Sequence, residues 1–551
     1  MEKKQIMIGV DDFEELISEN LFYVDKTLFI KEFIESKGKV TLITRPRRFG
    51  KTLNMNMLKY FFDIKKDNRA LFDGLKIMEH KRIMDKYCGK HPVIYMTLKD
   101  DLGNKFKESL EEVSLLMANI CQSYLFIYES DCLDKFKKEL FYKFCAKEAN
   151  KKELQNSLKF VAECLYIYYG KKAVILIDEY DAPLNNAVMS GYYEKMIKFM
   201  REFLGRAFKS NEFLEFGVLT GVQRISKESM VSGFNNPKIC GIFEKTFATS
   251  YGFTEDEVKE ICETYGYGDQ FEEVEKWYNG YRFGGHDIYN PWSIVALIDS
   301  GEFRNHWANT GSMDFFKELF DKGTDTLKNE IAGLMTGIPF KMKYDERITY
   351  PVLYSNNKVF WSLLLNAGYV KPCAGSTLDK LWVELVNKEV RNIFSDCIDS
   401  WFHENQQVLK NTIEEFVGYL LKGNAEGVKT ALNDELLNNP SCHDFKEENS
   451  YHMFIYGILL AVSGGYQVYS NKESGKGRYD CMIKPDDKGK HAVIIEYKHT
   501  KKKTDNLKEV AQTALIQIDN KAYVKNLQSE GYKNVYKYGI AFHKKNCEVA
   551  M

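Results

Sequence analysis

Proline is scarce, with ten residues in 551. Long proline-stiffened spacers are therefore excluded, and domains in close contact are expected. No low-complexity tract, long linker or internal repeat breaks the chain. The twelve cysteines contain no CxxC pair and no Cys/His cluster at zinc-ligand spacing. They read as reduced, mostly buried thiols of a cytoplasmic protein. No run approaches the ~20 apolar residues of a membrane span. The start, MEKKQIMIGVDDFEELISEN, has too short an apolar stretch for a secretory leader and is followed by acids. A net charge of −1 excludes a global attraction to nucleic acid or membrane.

What is present is ordinary in bulk and uneven in detail. Hydrophobic residues make up 44% and charged residues 28%, enough for several cores and roughly three to four domains. Residues 471–551 carry 17 Lys and Arg against 10 Asp and Glu. Local basic surface suits a nucleic-acid-handling module, although solvated lysines give the same count.

Residues 40–60, VTLITRPRRFGKTLNMNMLKY, run from an apolar strand through an Arg-rich turn into Gly50-Lys51-Thr52 and an amphipathic helix. A strand, a tight turn and a helix N-terminus together make a phosphate cradle. Lys51 would reach the terminal phosphates, and Thr52 would hold Mg²⁺. Arg45 occupies the position where the GxxxxGK[ST] pattern has its first glycine, and Arg45, Arg47 and Arg48 are expected to add charge around the phosphates. GKT by itself also fits a solvated basic turn. A second strand, KKAVILIDEYD, ends in acids at the edge where open α/β sheets bind ligands. There Asp178 can complete the Mg²⁺ shell, and Glu179 can polarise an attacking water. A third strand, Phe213–Leu219, is expected between these two. Thr220 at its tip, or Arg224 beyond it, could sense the γ-phosphate, and a plain Thr-Gly strand end fits equally. Tyr23–Thr27 reads as a neighbour of the base or as a helix cap by Asp25 or Thr27.

From about residue 251 the pattern is mainly helical through about 435. It includes a Thr254…Glu257 capping box, an aromatic turn region expected to form a small core, and Pro291 opening a helix. The last ~110 residues return to alternating helix and strand. Residues 477–499, GRYDCMIKPDDKGKHAVIIEYKH, read as a hairpin around Pro485–Gly489, with Asp480 on the first strand. Glu496 and Lys498 lie two apart on the second, hence on one face. The carboxylates could hold Mg²⁺ and Lys498 could orient water, with Glu448, Gln517 and Lys521 on flanking helices in support. Two such carboxylates repel each other unless a cation binds. An ordinary exposed strand also carries ExK.

YVDKT, TRPRRFGKT, LIDEYDAPL, LTGVQRISK, WYNGYRFGG, ENSYH, GRYD, IIEYK and ALIQIDNKAY together resemble prokaryotic AAA-ATPase-like proteins with a C-terminal PD-(D/E)XK nuclease-superfamily domain. The resemblance implies an α/β protein with an ASCE-type P-loop domain (1–250), a helical lid and connector (251–435) and a restriction-endonuclease-like domain (436–551). It assigns ATP and Mg²⁺ to Lys51, Thr52, Asp178 and Glu179. It assigns a nuclease-like site to Asp480, Glu496 and Lys498, with Glu448 and Gln517 supporting. That family shares the lone Arg45. The expected partner is nucleic acid, DNA ahead of RNA, without a membrane, and a homo-oligomer is left open. An ATP-driven switch whose end domain only binds remains the alternative.

Overall fold

Strands that are apolar along their whole length persist only with both faces covered, and three such runs organise the N-terminal half. They lie in a five-stranded parallel sheet made of β1 (Val40–Thr44), β2 (Val93–Thr97), β3 (Ala173–Asp178), β4 (Leu214–Gly221) and β5 (Lys238–Cys240), in the order β2-β3-β4-β1-β5. The computed structural model describes residues 3–99, 103–224, 237–307, 325–335, 337, 339–345, 356–395, 409–438, 455, 459, 466–470, 473–474, 477–478, 480–500, 506–521, 523–544 and 546–551. As expected, β4 separates the GKT strand from the acid strand, giving the ASCE-type arrangement. It runs two residues past Leu219, so Thr220 and Gly221 are ladder residues opposite Ile43 and Thr44.

The turn after β1 departs from the expectation for Arg45. Positive φ angles fall on Arg48 (+69°) and Gly50 (+78°), not on Arg45, so the missing first glycine creates no backbone conflict. The Arg45 N–H extends the parallel ladder by donating to Gly221 O at 3.1 Å. Its side chain, fully buried, turns into the protein. Nη1 donates to the carbonyls of Thr44, Cys240 and Gly241 at 2.8, 2.9 and 2.7 Å, and Nη2 to Phe247 O at 3.1 Å. The guanidinium also lies over the rings of Tyr251 and Phe283. Arg45 therefore ties β1 to β5 and to the segment after it, and does not charge the phosphate loop.

Residues 251–435 hold more strand than the helical reading allowed. β6 (Phe253–Thr254), β7 (Tyr281–Phe283) and β8 (His286–Tyr289) form one antiparallel sheet, and β9 (Phe340–Met342), β10 (Val370–Pro372) and β11 (Leu381–Leu385) another. These strands are too short to leave a period. The β7–β8 hairpin turns through Gly284-Gly285, both at positive φ, as a two-residue hairpin loop requires. The Thr254–Glu257 capping box forms in both directions, and Pro291 opens the helix Pro291–Ser300 behind the Asn290 cap. Contacts cross residue 250: Phe22 packs edge-on against Phe253 and Tyr265.

At the C-terminus come β12 (Tyr466–Ser470), the short pair β13 (Glu473–Ser474) and β14 (Gly477–Arg478), then β15 (Cys481–Pro485), β16 (Ala492–His499), β17 (Val535–His543) and β18 (Asn546–Ala550). The main sheet has the order β12-β15-β16-β17-β18. Only β16 and β17 are parallel, joined through the helix Leu507–Asn520. That helix sits so close that a Cβ at Gly539 would overlap Ala511 O. Among the described residues no helix is long and apolar enough to cross a membrane.

Arg45→Gly, which would restore the usual first glycine, is expected to destabilise the protein by about 3 kcal/mol or more, because four carbonyls lose a charged donor. Thermal unfolding of purified variant and wild type measures this. An unchanged transition would remove Arg45 from its structural role.

Candidate nucleotide and metal sites

The parallel register brings the C-terminal ends of β1, β4 and β3 side by side. Thr52, on the first turn of the helix Lys51–Phe62, donates its hydroxyl to Asp178 Oδ2 at 2.7 Å. Thr220 donates to Asp178 Oδ1 from the β4 side. Asp178 is fully buried, and burial first, then the adjacent Glu179, raises its pKa above the ordinary carboxylate value. The Thr220 and Thr52 hydroxyls oppose that shift, because both donate to the charged form. Thr220 is itself buried with its hydroxyl on Asp178, and it is not among the residues that line the cavity. Arg224 closes the described part of this strand end, and nothing places it at the cavity.

In front of this cluster lies a cavity of about 490 Å³. Lys51, Thr52, Gly50, Arg47, Arg48 and Glu179 line its floor. Lys51 Nζ lies 3.1 Å from Pro46 O and 3.3 Å from Glu179 Oε1. Glu179 has φ +52°, a left-handed conformation that costs about 1 kcal/mol for a residue with a side chain. Arg48 stacks on Trp292 at 4.3 Å. Lys26 and Lys99 add positive charge to the lining, and Asp11 adds an acid that pairs with Lys99 at 3.5 Å. The balance favours an anionic ligand.

The upper wall was not legible in the sequence. Residues 6–10 of the N-terminal segment, Phe22, Val24, Phe253, Trp292 and Val295 make it apolar. Trp292 belongs to the aromatic stretch expected to be core only. Tyr278, Tyr281 and Tyr289 are indeed buried, whereas Trp292 faces the cavity. Of the readings of Tyr23–Thr27, the cap does not form: Thr27 precedes the helix Leu28–Glu35 without a side-chain cap bond, and Asp25 Oδ1 accepts the Thr27 N–H and hydroxyl in the turn before it, while Tyr23 and Lys26 line the cavity.

The second cluster forms at the C-terminal hairpin. Cys481 pairs with Ile495, so Asp480, one residue before β15 and not on it, lies beside Glu496. Asp480 Oδ2 accepts the Tyr497 N–H at 2.6 Å. Glu496 is 2% exposed, which rules out the ordinary exposed strand. Its Oε1 accepts from Gln517 Nε2, while Oε2 is buried with no partner among the described residues. Burial, then the charge of Asp480, pushes the Glu496 carboxyl up to about 8, against the opposing pull of Lys498 and Lys521. The structure thus gathers Asp480, Glu496, Lys498, Gln517 and Lys521. Glu448 lies outside the described residues. No group of three acids, His or Cys at metal-holding distance occurs among the described residues, so a cation here would rest on two carboxylates with water or substrate oxygen completing its shell. An orphaned buried carboxylate oxygen beside a second carboxylate fits a hard divalent cation.

Residues 7–231 match the family model described as predicted AAA-ATPase, and residues 446–551 match the PD-(D/E)XK nuclease superfamily. An uncharacterized protein in the vnfD 5′ region of Azotobacter chroococcum mcd 1 is 28% identical over 330 residues, covering 58% of this chain. The match spans 56% of that relative's length. Fold, clusters and comparisons agree: the chain is similar to the predicted AAA-ATPases over 7–231 and to the PD-(D/E)XK nuclease superfamily over 446–551.

Proposed function

We propose that the N-terminal domain, 1–250, binds and hydrolyses ATP with Mg²⁺, and that a lid and connector, 251–435, links it to a metal-dependent nuclease-like domain, 436–551. The observation that carries the first half is the Thr52–Asp178 hydrogen bond at the floor of a cation-rich cavity. Thr52 and Asp178 would hold Mg²⁺, which supplies charge neutralisation to the phosphates. Lys51 would meet the terminal phosphates and leave Glu179, freeing that carboxylate to polarise water.

For the second half, Asp480 and Glu496 would hold a divalent cation that activates water, and Lys498 would balance charge on a scissile phosphate. The basic excess of residues 471–551 supports a nucleic-acid partner, DNA ahead of RNA. The sealing of Glu496 by Gln517 favours a second reading, in which ATP drives a switch and this domain binds without cutting.

Lys51→Ala is expected to weaken ATP binding, and Glu179→Gln to keep binding while slowing turnover by about 100-fold or more. Equal turnover in all three proteins, by phosphate release, would sink the ATPase assignment. Glu496→Gln is expected to abolish Mg²⁺-dependent cleavage of DNA with ATP turnover intact. No cleavage of DNA or RNA by the wild type with any metal would leave the binding-only reading.

Metal binding at the hairpin should also depend on pH. The folded-state pKa of Glu496 lies above its unfolded value, so the group favours the folded state at low pH and loses that contribution as pH rises toward 8. A cation needs the carboxylate, so Mn²⁺ affinity should increase as pH climbs through about 8, with proton release. Calorimetry in two buffers reads both, and Glu496→Gln should flatten the dependence.

A further inference from the structure

Glu179 holds its left-handed backbone next to two residues that grip the far end of β4. The Tyr180 N–H donates to Thr220 O at 2.9 Å, and the Tyr180 hydroxyl to Gln223 O at 2.6 Å. Asp181, 1% exposed, accepts the N–H groups of Val222 and Gln223 on Oδ2 at 3.0 and 2.8 Å. The approach is close enough that a Cβ at Gly221 would overlap Asp181 Oδ1 and lie 2.8 Å from the Tyr180 ring. Residues 178–181 and 220–223 are therefore tied to one another. A non-glycine residue at positive φ stays there only while its surroundings over-determine it, and these bonds supply that constraint on Glu179.

The Gln223 side chain reaches away from the cluster into the helix Asn357–Ala367. Nε2 donates to Leu363 O at 3.1 Å, and Oε1 accepts from Asn366 Nδ2 at 3.2 Å. Asn366 Oδ1 in turn accepts the Tyr344 hydroxyl at 2.9 Å. Gln223 and Asn366 are 3% and 5% exposed, so water does not compete for these bonds. The end of the same helix also meets the phosphate loop, since a Cβ at Gly368 would lie 3.0 Å from Pro46.

We propose that Gln223 is a positioning residue for ATP hydrolysis, through which the helix Asn357–Ala367 holds the Glu179 backbone in place. The inference rests on Glu179 as the water-polarising group. Gln223 is not among the residues that line the cavity. It transmits the position of a helix some 140 residues further along the chain to the end of β4, and from there through Asp181 and Tyr180 to Glu179. A shift of that helix would change turnover without removing any phosphate contact.

The test compares Gln223→Met, which keeps length and loses both side-chain bonds, with Asn366→Ala, which leaves Gln223 and its bond to Leu363 O. Steady-state turnover and the Kd of a fluorescent ATP analogue are measured on the full chain. Both variants should lose about ten-fold in kcat with Kd within two-fold, as expected for a misplaced catalytic group. The double variant should be no worse than Gln223→Met alone, because the two act through one contact. Unchanged kcat, a matching loss in Kd, or additive losses would overturn the proposal. If Gln223→Met does not fold, Asn366→Ala decides by the same readings. A wild type that hydrolyses no ATP overturns the ATPase reading and this inference with it. Wild-type turnover matched by both variants overturns this inference alone.

Discussion

Asp178 is a carboxylate at the end of a strand with no exposed surface, and the N-terminal half is arranged around making that tolerable. Burial and the neighbouring Glu179 both push it toward its neutral form. The Thr52 and Thr220 hydroxyls oppose this, and they come from chain segments 126 and 42 residues away. Both can arrive only if β4 lies between β1 and β3 in a register that places Thr220 opposite Ile43. Sheet order, phosphate loop and acid pair thus satisfy one electrostatic condition together.

The two clusters solve the same problem by different means. At the cavity, Lys51 stands 3.3 Å from Glu179, and the buried acid has two hydroxyl donors. At the hairpin, Glu496 has one amide donor and a facing carboxylate, with the lysines acting at longer range, and its balance tips toward the protonated form near neutral pH. The first site is held in place by hydroxyl donors and a neighbouring lysine. The second takes its ionised form when a cation or a higher pH offsets the burial.

Arg45 shows how a residue can carry a resemblance and still be misjudged. Its place in TRPRRFGKT suggested phosphate charge, because a guanidinium pairs closely with phosphate. Four carbonyls and two aromatic rings converge where its side chain goes, and none of them is near it in sequence except Thr44. Trp292 is the opposite case: a residue read as core that faces the cavity, because Pro291 and Asn290 start its helix at the cavity wall.

By itself the sequence determined the strands at Val40–Thr44 and Ala173–Asp178, the Gly50-Lys51-Thr52 helix start, the Thr254–Glu257 capping box and the shared face of Glu496 and Lys498. Each is a local consequence of apolar runs, caps or period-two alternation, and needs no distant partner. Tertiary structure alone decided that Arg45 and Thr220 turn inward, that residues 6–11 and Trp292 complete the cavity, and that Gln223 reaches Leu363 and Asn366. Those outcomes depend on which carbonyl, carboxylate or ring stands opposite a side chain once distant segments are packed. No propensity or spacing within one segment carries that information.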